Sequence, residues 1–133
     1  MKLDPSALPE AASAFLTERH LATLTTVKPS GVLHVVPVGF TFDPATQTAR
    51  VITSGDTVKA RNAGRPGATA ALCSVDGARW ITLLGPVRVE ADAEAVADAE
   101  RRYEQRYRPP RVNPKRIVVI MTVTSVSASV RLR

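Results

Sequence analysis

Thr53-Ser54-Gly55 stands just before Lys59, with Arg61 and Asn62 close behind. That spacing suits phosphate binding. A strand that ends in small hydroxyl side chains and feeds a helix N-terminus offers free backbone N–H groups and the positive end of a dipole. Lys59 and Arg61 add formal charge, and Asn62 adds a neutral donor. On composition alone, the solvated face of a short helix is the simpler reading of the same residues. A second basic group, Arg106, Arg108, Arg111, Lys115 and Arg116, surrounds three prolines and Asn113. Guanidinium groups bind carboxylates in bidentate, geometry-selective pairs.

These two groups hold most of a charge imbalance. The chain has 133 residues, 18 basic against 12 acidic, for a net +6 and a pI near 10.2. Residues 49–88 carry +4 and 105–133 carry +7, whereas 89–104 carry −4. Such a distribution calls for an anionic partner. Other chemistries find little support. Cys73 is the single cysteine and there are two histidines, so neither an internal disulfide nor a Cys/His zinc site is expected, and no metal ligand set is evident. Cys73, within Ala70-Ala71-Leu72-Cys73, reads as core, and His20 and His34 read as structural. Ser54, His34 and Asp56 form no assignable triad, and no G-x-G-x-x-G follows the first strand. Lys2 precedes Asp4, Pro5 and Glu10 rather than an apolar signal, and no apolar run approaches the ~18 residues of a membrane span. A cytoplasmic protein with no membrane partner is expected. A 44% hydrophobic chain of this length buries about two thirds of its unfolded surface, enough for one domain over residues 1–133.

The hydrophobic periodicity shows what must position these groups. Pro5 to Glu18 has helical spacing, with Asp4 or Ser6 as N-cap. Leu21 to Val27 and Val32 to Phe42 form a hairpin about Lys28-Pro29-Ser30-Gly31, and Ala49 to Thr53 is a short strand. Asp56 caps a helix from Thr57 to Gly64. Ala68 to Val75 and Ala78 to Val89 flank Asp76-Gly77, a type I′ signal. Asp92 to Tyr107 is helical, with acids early, arginines late and the i,i+4 pairs Asp98–Arg102 and Glu104–Arg108. Tyr103 and Tyr107 pack that helix onto the rest. Ile117 to Val126 is the last strand, and Ile117-Val118-Val119-Ile120 is apolar on both faces, as a central strand requires. Six strands joined mostly by hairpins, with two inserted helices, describe a mainly β, antiparallel barrel.

Several stretches carry a family resemblance: His20-Leu21-Ala22-Thr23-Leu24-Thr25-Thr26, Val35-Val36-Pro37-Val38-Gly39-Phe40, Val51-Ile52-Thr53-Ser54, and Lys59-Ala60-Arg61-Asn62. So do Gly39 to Pro44, Val75-Asp76-Gly77-Ala78-Arg79-Trp80 and Arg102-Tyr103 through Gln105-Arg106-Tyr107-Arg108 to Pro110-Arg111. The chain resembles the pyridoxamine-phosphate-oxidase-like split β-barrel flavoproteins. Within them it is most similar to the class B flavin/deazaflavin oxidoreductases of actinobacteria.

The resemblance implies a homodimer of six-stranded split barrels with two interfacial cofactor sites. Lys59, Arg61 and Asn62 would hold the cofactor phosphate, with Thr53 and Ser54 beside the ring or ribityl chain. Val36, Pro37, Val38 and Gly39 would offer backbone groups to the ring, Pro37 lacking one N–H. Trp80 would reach over from the neighbouring subunit. The implied cofactor is coenzyme F420, whose phosphate and glutamates suit the arginine surplus, with FMN as the alternative. The implied activity is hydride transfer to a conjugated substrate, biliverdin foremost, whose carboxylates would meet Arg106, Arg108 and Arg111. No catalytic side chain is assigned, and solvent, a substrate pyrrole and Tyr107 all stay open as proton source. Reduction of a quinone or enone, simple cofactor carriage, and haem binding are further family readings. A basic barrel binding single-stranded nucleic acid is the reading from another class, but with three Phe, two Tyr and one Trp its stacking platform is missing.

Overall fold

The computed structural model describes residues 2–133, and every strand pairing within them is antiparallel. In chain order the elements are β1 (Lys2–Leu3), α1 (Glu10–Thr17), β2 (Ala22–Val27), β3 (Leu33–Val38), β4 (Thr41–Asp43), β5 (Thr48–Ser54) and α2 (Val58–Ala63). They continue with β6 (Thr69–Asp76), β7 (Arg79–Glu90), α3 (Ala93–Arg106), β8 (Arg116–Thr122), β9 (Ser125–Ala128) and a closing 3₁₀ turn. Nine strands replace the six expected, because two predicted strands each divide and β1 adds an edge.

Both divisions shape the barrel. The predicted Val32–Phe42 strand breaks at Gly39-Phe40 into β3 and β4, which lie at opposite ends of the order β3-β2-β6-β7-β8-β5-β4. Consecutive pieces of chain thus hold the two far edges of one rolled sheet. A two-residue link closes the barrel where a hydrogen-bonded ladder would otherwise run. The predicted Ile117–Val126 strand breaks after Thr122, and β7 pairs with β9 through Ile81–Leu84 and with β8 through Val87–Glu90. The crossing falls at Gly85, where a Cβ would collide with the Thr122 carbonyl oxygen. No other residue fits there without backbone movement.

Period-2 alternation fills the interior with Leu24, Leu72, Ile81, Leu83, Val119 and Val126, joined by Phe15 of α1 and by Phe40. Each such side chain contributes roughly 1.5–3 kcal/mol on burial. Val118 and Ile120 point the other way, under Ala99 of α3. The central position expected for Ile117–Ile120 is therefore observed, between β7 and β5.

Local chemistry corrects several expectations. Asp4 accepts from the Ser6 amide at 2.9 Å and makes its own turn, so α1 starts later, behind Pro9, without a side-chain cap. Thr57, not Asp56, caps α2 by accepting from the Ala60 amide at 3.4 Å. Asp92, expected as the first residue of the helix, caps α3 instead, 3.0 Å from the Ala95 amide. At the β6–β7 hairpin Asp76 pairs with Arg79, and only Gly77 of the two loop residues has positive φ, at 60°. That is the pattern of a type II′ turn. Cys73 is half-exposed, because alternation turns Leu72 and Ser74 inward. Its row on the outer sheet face runs through Leu33, Val35, Pro37, Thr25, Ala71, Trp80 and Leu84 and holds no charge.

Candidate functional site

Rolling the sheet brings the two basic groups together. A groove of about 310 Å³ is lined by Pro37, Val38 and Gly39 at the end of β3, by Ile52 and Thr53 of β5, and by Lys59 of α2. Its other wall is Tyr103 of α3, then Arg108, Pro109, Pro110 and Arg111, and Arg116 at the start of β8. No carboxylate lines it. Among the described residues Lys59 has no hydrogen-bond or ion-pair partner, and partial burial lowers its pKa below the ordinary lysine value. A half-desolvated ammonium without a counter-ion is stabilised by an anion, which makes Lys59 a candidate anion contact. β3 pairs only with β2, so its free edge presents backbone groups, less the N–H that Pro37 lacks.

The second wall is a strap, residues 107–115, held at few points. Asn113 donates through Nδ2 to Ser54 Oγ at 2.7 Å, and the Gly55 amide donates to the Lys115 carbonyl at 2.9 Å. Arg116 donates through Nη1 to Glu100 Oε2 at 2.7 Å, while Arg108 and Arg111 have no ion-pair partner among the described residues. The expected Glu104–Arg108 pair is absent there because α3 ends at Arg106. The Asp98–Arg102 pair is present at 3.0 Å.

Just inside the strap the chain is locked. Arg106 is 8% exposed; its Nε donates to the Glu18 carbonyl at 2.8 Å and its Nη1 to the Phe40 carbonyl. Its guanidinium lies over the Phe40 and Tyr107 rings, 4.7 and 5.1 Å from their centroids. Tyr107 Oη donates to the His20 carbonyl at 2.6 Å and accepts from the Phe40 amide at 3.2 Å. Arg19 closes the clasp on the Tyr107 carbonyl at 2.6 Å. The rings of Tyr103 and Tyr107 cover Gly39, where an added Cβ would stand 3.1 Å from each. Gly39 thus lets α3 seat against the β3–β4 link.

The residues nominated from sequence divide accordingly. Pro37, Val38, Gly39, Thr53, Lys59, Arg108 and Arg111 line the groove together. Arg106 does not, being consumed by the clasp. Asn62 is 4% exposed and donates to Thr26 Oγ1 at 3.0 Å, tying α2 to β2 instead of facing the groove. Arg61 is exposed and folds back on the Asp56 carbonyl at 3.2 Å. Ser54 anchors the strap through Asn113, and Val36 packs on the core. Trp80 lies on the outer sheet face, opposite Val75. Tyr103, Ile52 and Arg116 line the groove without having been nominated. Tyr107, one of the proton sources left open, has its hydroxyl bound to the His20 carbonyl, and burial raises its pKa.

A rolled antiparallel sheet, split at one link, bears a groove whose walls carry four cations and no carboxylate. The profile of the pyridoxamine 5′-phosphate oxidase family matches residues 8–129, and the chain belongs to that family. It is 54% identical over 125 residues to the F420H(2)-dependent biliverdin reductase of Mycobacterium tuberculosis (strain CDC 1551 / Oshkosh), covering 94% of this chain and 90% of that protein. Among solved structures, an F420 reductase superposes with a TM-score of 0.72 at 22% identity, covering 90% of this chain and 98% of its own. A conserved hypothetical protein from Mycobacterium tuberculosis superposes at 0.73 and 19% identity, covering 98% and 90%. These two likenesses concern the fold.

Proposed function

We propose that the chain is a reductase of the class B flavin/deazaflavin kind, which passes a hydride from reduced coenzyme F420 to a conjugated acceptor, biliverdin being the first candidate. The observation that carries this is Lys59, a half-buried, unpaired ammonium facing Arg108 and Arg111 across a groove without carboxylates. The 54% identity to an F420H(2)-dependent biliverdin reductase supports the choice of coenzyme and acceptor.

The donor set fits the coenzyme. Lys59 holds its phosphate, Arg108 and Arg111 take tail carboxylates, and Thr53 adds a hydroxyl. Pro37, Val38 and Ile52, the apolar side chains of the groove, would lie against the ring beside the free edge of β3. When bound, the reduced coenzyme supplies the hydride; the protein positions and polarises.

The protein works as a homodimer in this reading. The charge-free outer row of β3, β2, β6 and β7 is the face that a second copy covers, with Val35 55% and Leu33 62% exposed. Trp80, outside its own groove, serves the partner's site from that face.

Titration of oxidised coenzyme F420 with purified protein tests the reading: saturable quenching or shift of its fluorescence at micromolar protein is expected. Preferential binding of FMN, or salt-dependent DNA binding without a coenzyme response, overturns it. A monomer by sedimentation at working concentration overturns the assembly.

A further inference from the structure

Beside the groove lies a second cavity of about 290 Å³, lined by Arg19, His20, Leu21, Tyr103, Tyr107 and Arg108. Tyr103 and Arg108 line both spaces, so a single layer of side chains separates their contents. We infer that this cavity is the acceptor subsite, and that it seats a carboxylate-bearing arm of a flat conjugated molecule. The inference rests on the coenzyme occupying the neighbouring groove.

Three features carry it. The charge is right: Arg108 has no ion-pair partner among the described residues, and Arg19 uses Nη2 on the Tyr107 carbonyl, 2.6 Å away, keeping its other N–H donors. Glu18, next to Arg19, is already engaged by His20 Nε2 at 2.8 Å and by Arg79 Nη1 at 3.1 Å, an arginine it shares with Asp76. The remaining wall is mostly apolar, with the two tyrosine rings tilted 35° to one another. Leu21 stands 64% exposed at the rim, and the Tyr103 and Tyr107 rings lie 4.9 Å apart behind it. A space of this volume takes one arm of a large planar molecule, with the rest lying across Leu21. His20, stacked on Phe15 at 4.5 Å, is thereby a wall of a ligand site as well as a structural residue.

The test uses the full-length protein, biliverdin as the acceptor probe by absorbance titration with saturating oxidised F420, and F420 itself by fluorescence. Leu21→Glu places a negative charge on an exposed rim position. It is expected to weaken biliverdin binding at least tenfold and to leave F420 affinity within twofold. Leu21→Gln, similar in shape but neutral, should cost less than threefold. Arg108→Ala, on the shared wall, should weaken both ligands. Unchanged biliverdin affinity in Leu21→Glu overturns the inference. So does an equal loss of F420 affinity, which would give the cavity to the coenzyme tail, and so does wild-type protein that binds F420 but not biliverdin. In each of these the coenzyme reading survives; wild-type protein that fails to bind F420 removes that reading itself.

Discussion

Arg106 and Arg108 are two residues apart and do opposite work. Arg106 spends its hydrogen bonds on the Glu18 and Phe40 carbonyls, between two aromatic rings. Arg108 has left the helix, faces two cavities and has no ion-pair partner among the described residues. The same contrast separates the buried clasp of α3 from the groove wall of Lys59, Arg108 and Arg111. Arg106 is buried and bound to backbone carbonyls of two other segments, so it holds the fold together; Lys59, half-buried, and Arg108 and Arg111, exposed, have no such partner among the described residues and are free to meet a ligand.

Removing the clasp should produce the largest effect. Arg106→Ala leaves two carbonyls short of a donor and empties the space between two rings, at about 3–5 kcal/mol of stability in urea denaturation. A loss under about 1 kcal/mol, with coenzyme binding abolished, would move Arg106 to the ligand side. Lys59→Ala should do the reverse. Its stability should stay within about 0.5 kcal/mol of wild type, while F420 affinity falls by about 1.5–3 kcal/mol, the range for hydrogen bonds to charged groups. Large destabilisation would make Lys59 a scaffold residue.

A pH profile of F420 affinity is the smallest and finest probe of the contrast. The folded-state pKa of Lys59 is depressed by desolvation, and the anion prefers the protonated form. Affinity should therefore hold at neutral pH and fall as pH rises through that depressed value, below the usual lysine range. Lys59→Arg should keep its affinity to higher pH, since arginine stays charged. Identical profiles would show that another group titrates.

Much of this was legible in the sequence. Alternation placed Leu24, Leu72 and Leu83, the doubly apolar Ile117–Ile120 run marked the central strand, and Asp92 marked the start of α3. Type and spacing nominated Lys59 and Thr53, which do line one groove, although a solvated helix face was the simpler reading of the same residues. The inward turn of Arg106 also had a signal: it sits seven residues after Ala99 and three after Tyr103, on the buried stripe of α3. Composition concealed it, because arginine late in a helix is the ordinary dipole arrangement. Asn62 was hidden similarly, flanking Ala63 on the buried side of a one-and-a-half-turn helix. The breaks at Gly39-Phe40 and after Thr122 were not legible, since both follow from how the sheet rolls.

The strap has a consequence for how such a protein can change. Its prolines, Pro109, Pro110 and Pro114, stiffen a connection that meets the end of β5 mainly through Asn113 and Lys115. Its length works as a ruler across the groove. A residue gained or lost between Tyr107 and Lys115 would reset the span between Lys59 and Arg111 without altering any strand pairing, and with it the length of ligand that both cations could reach at once.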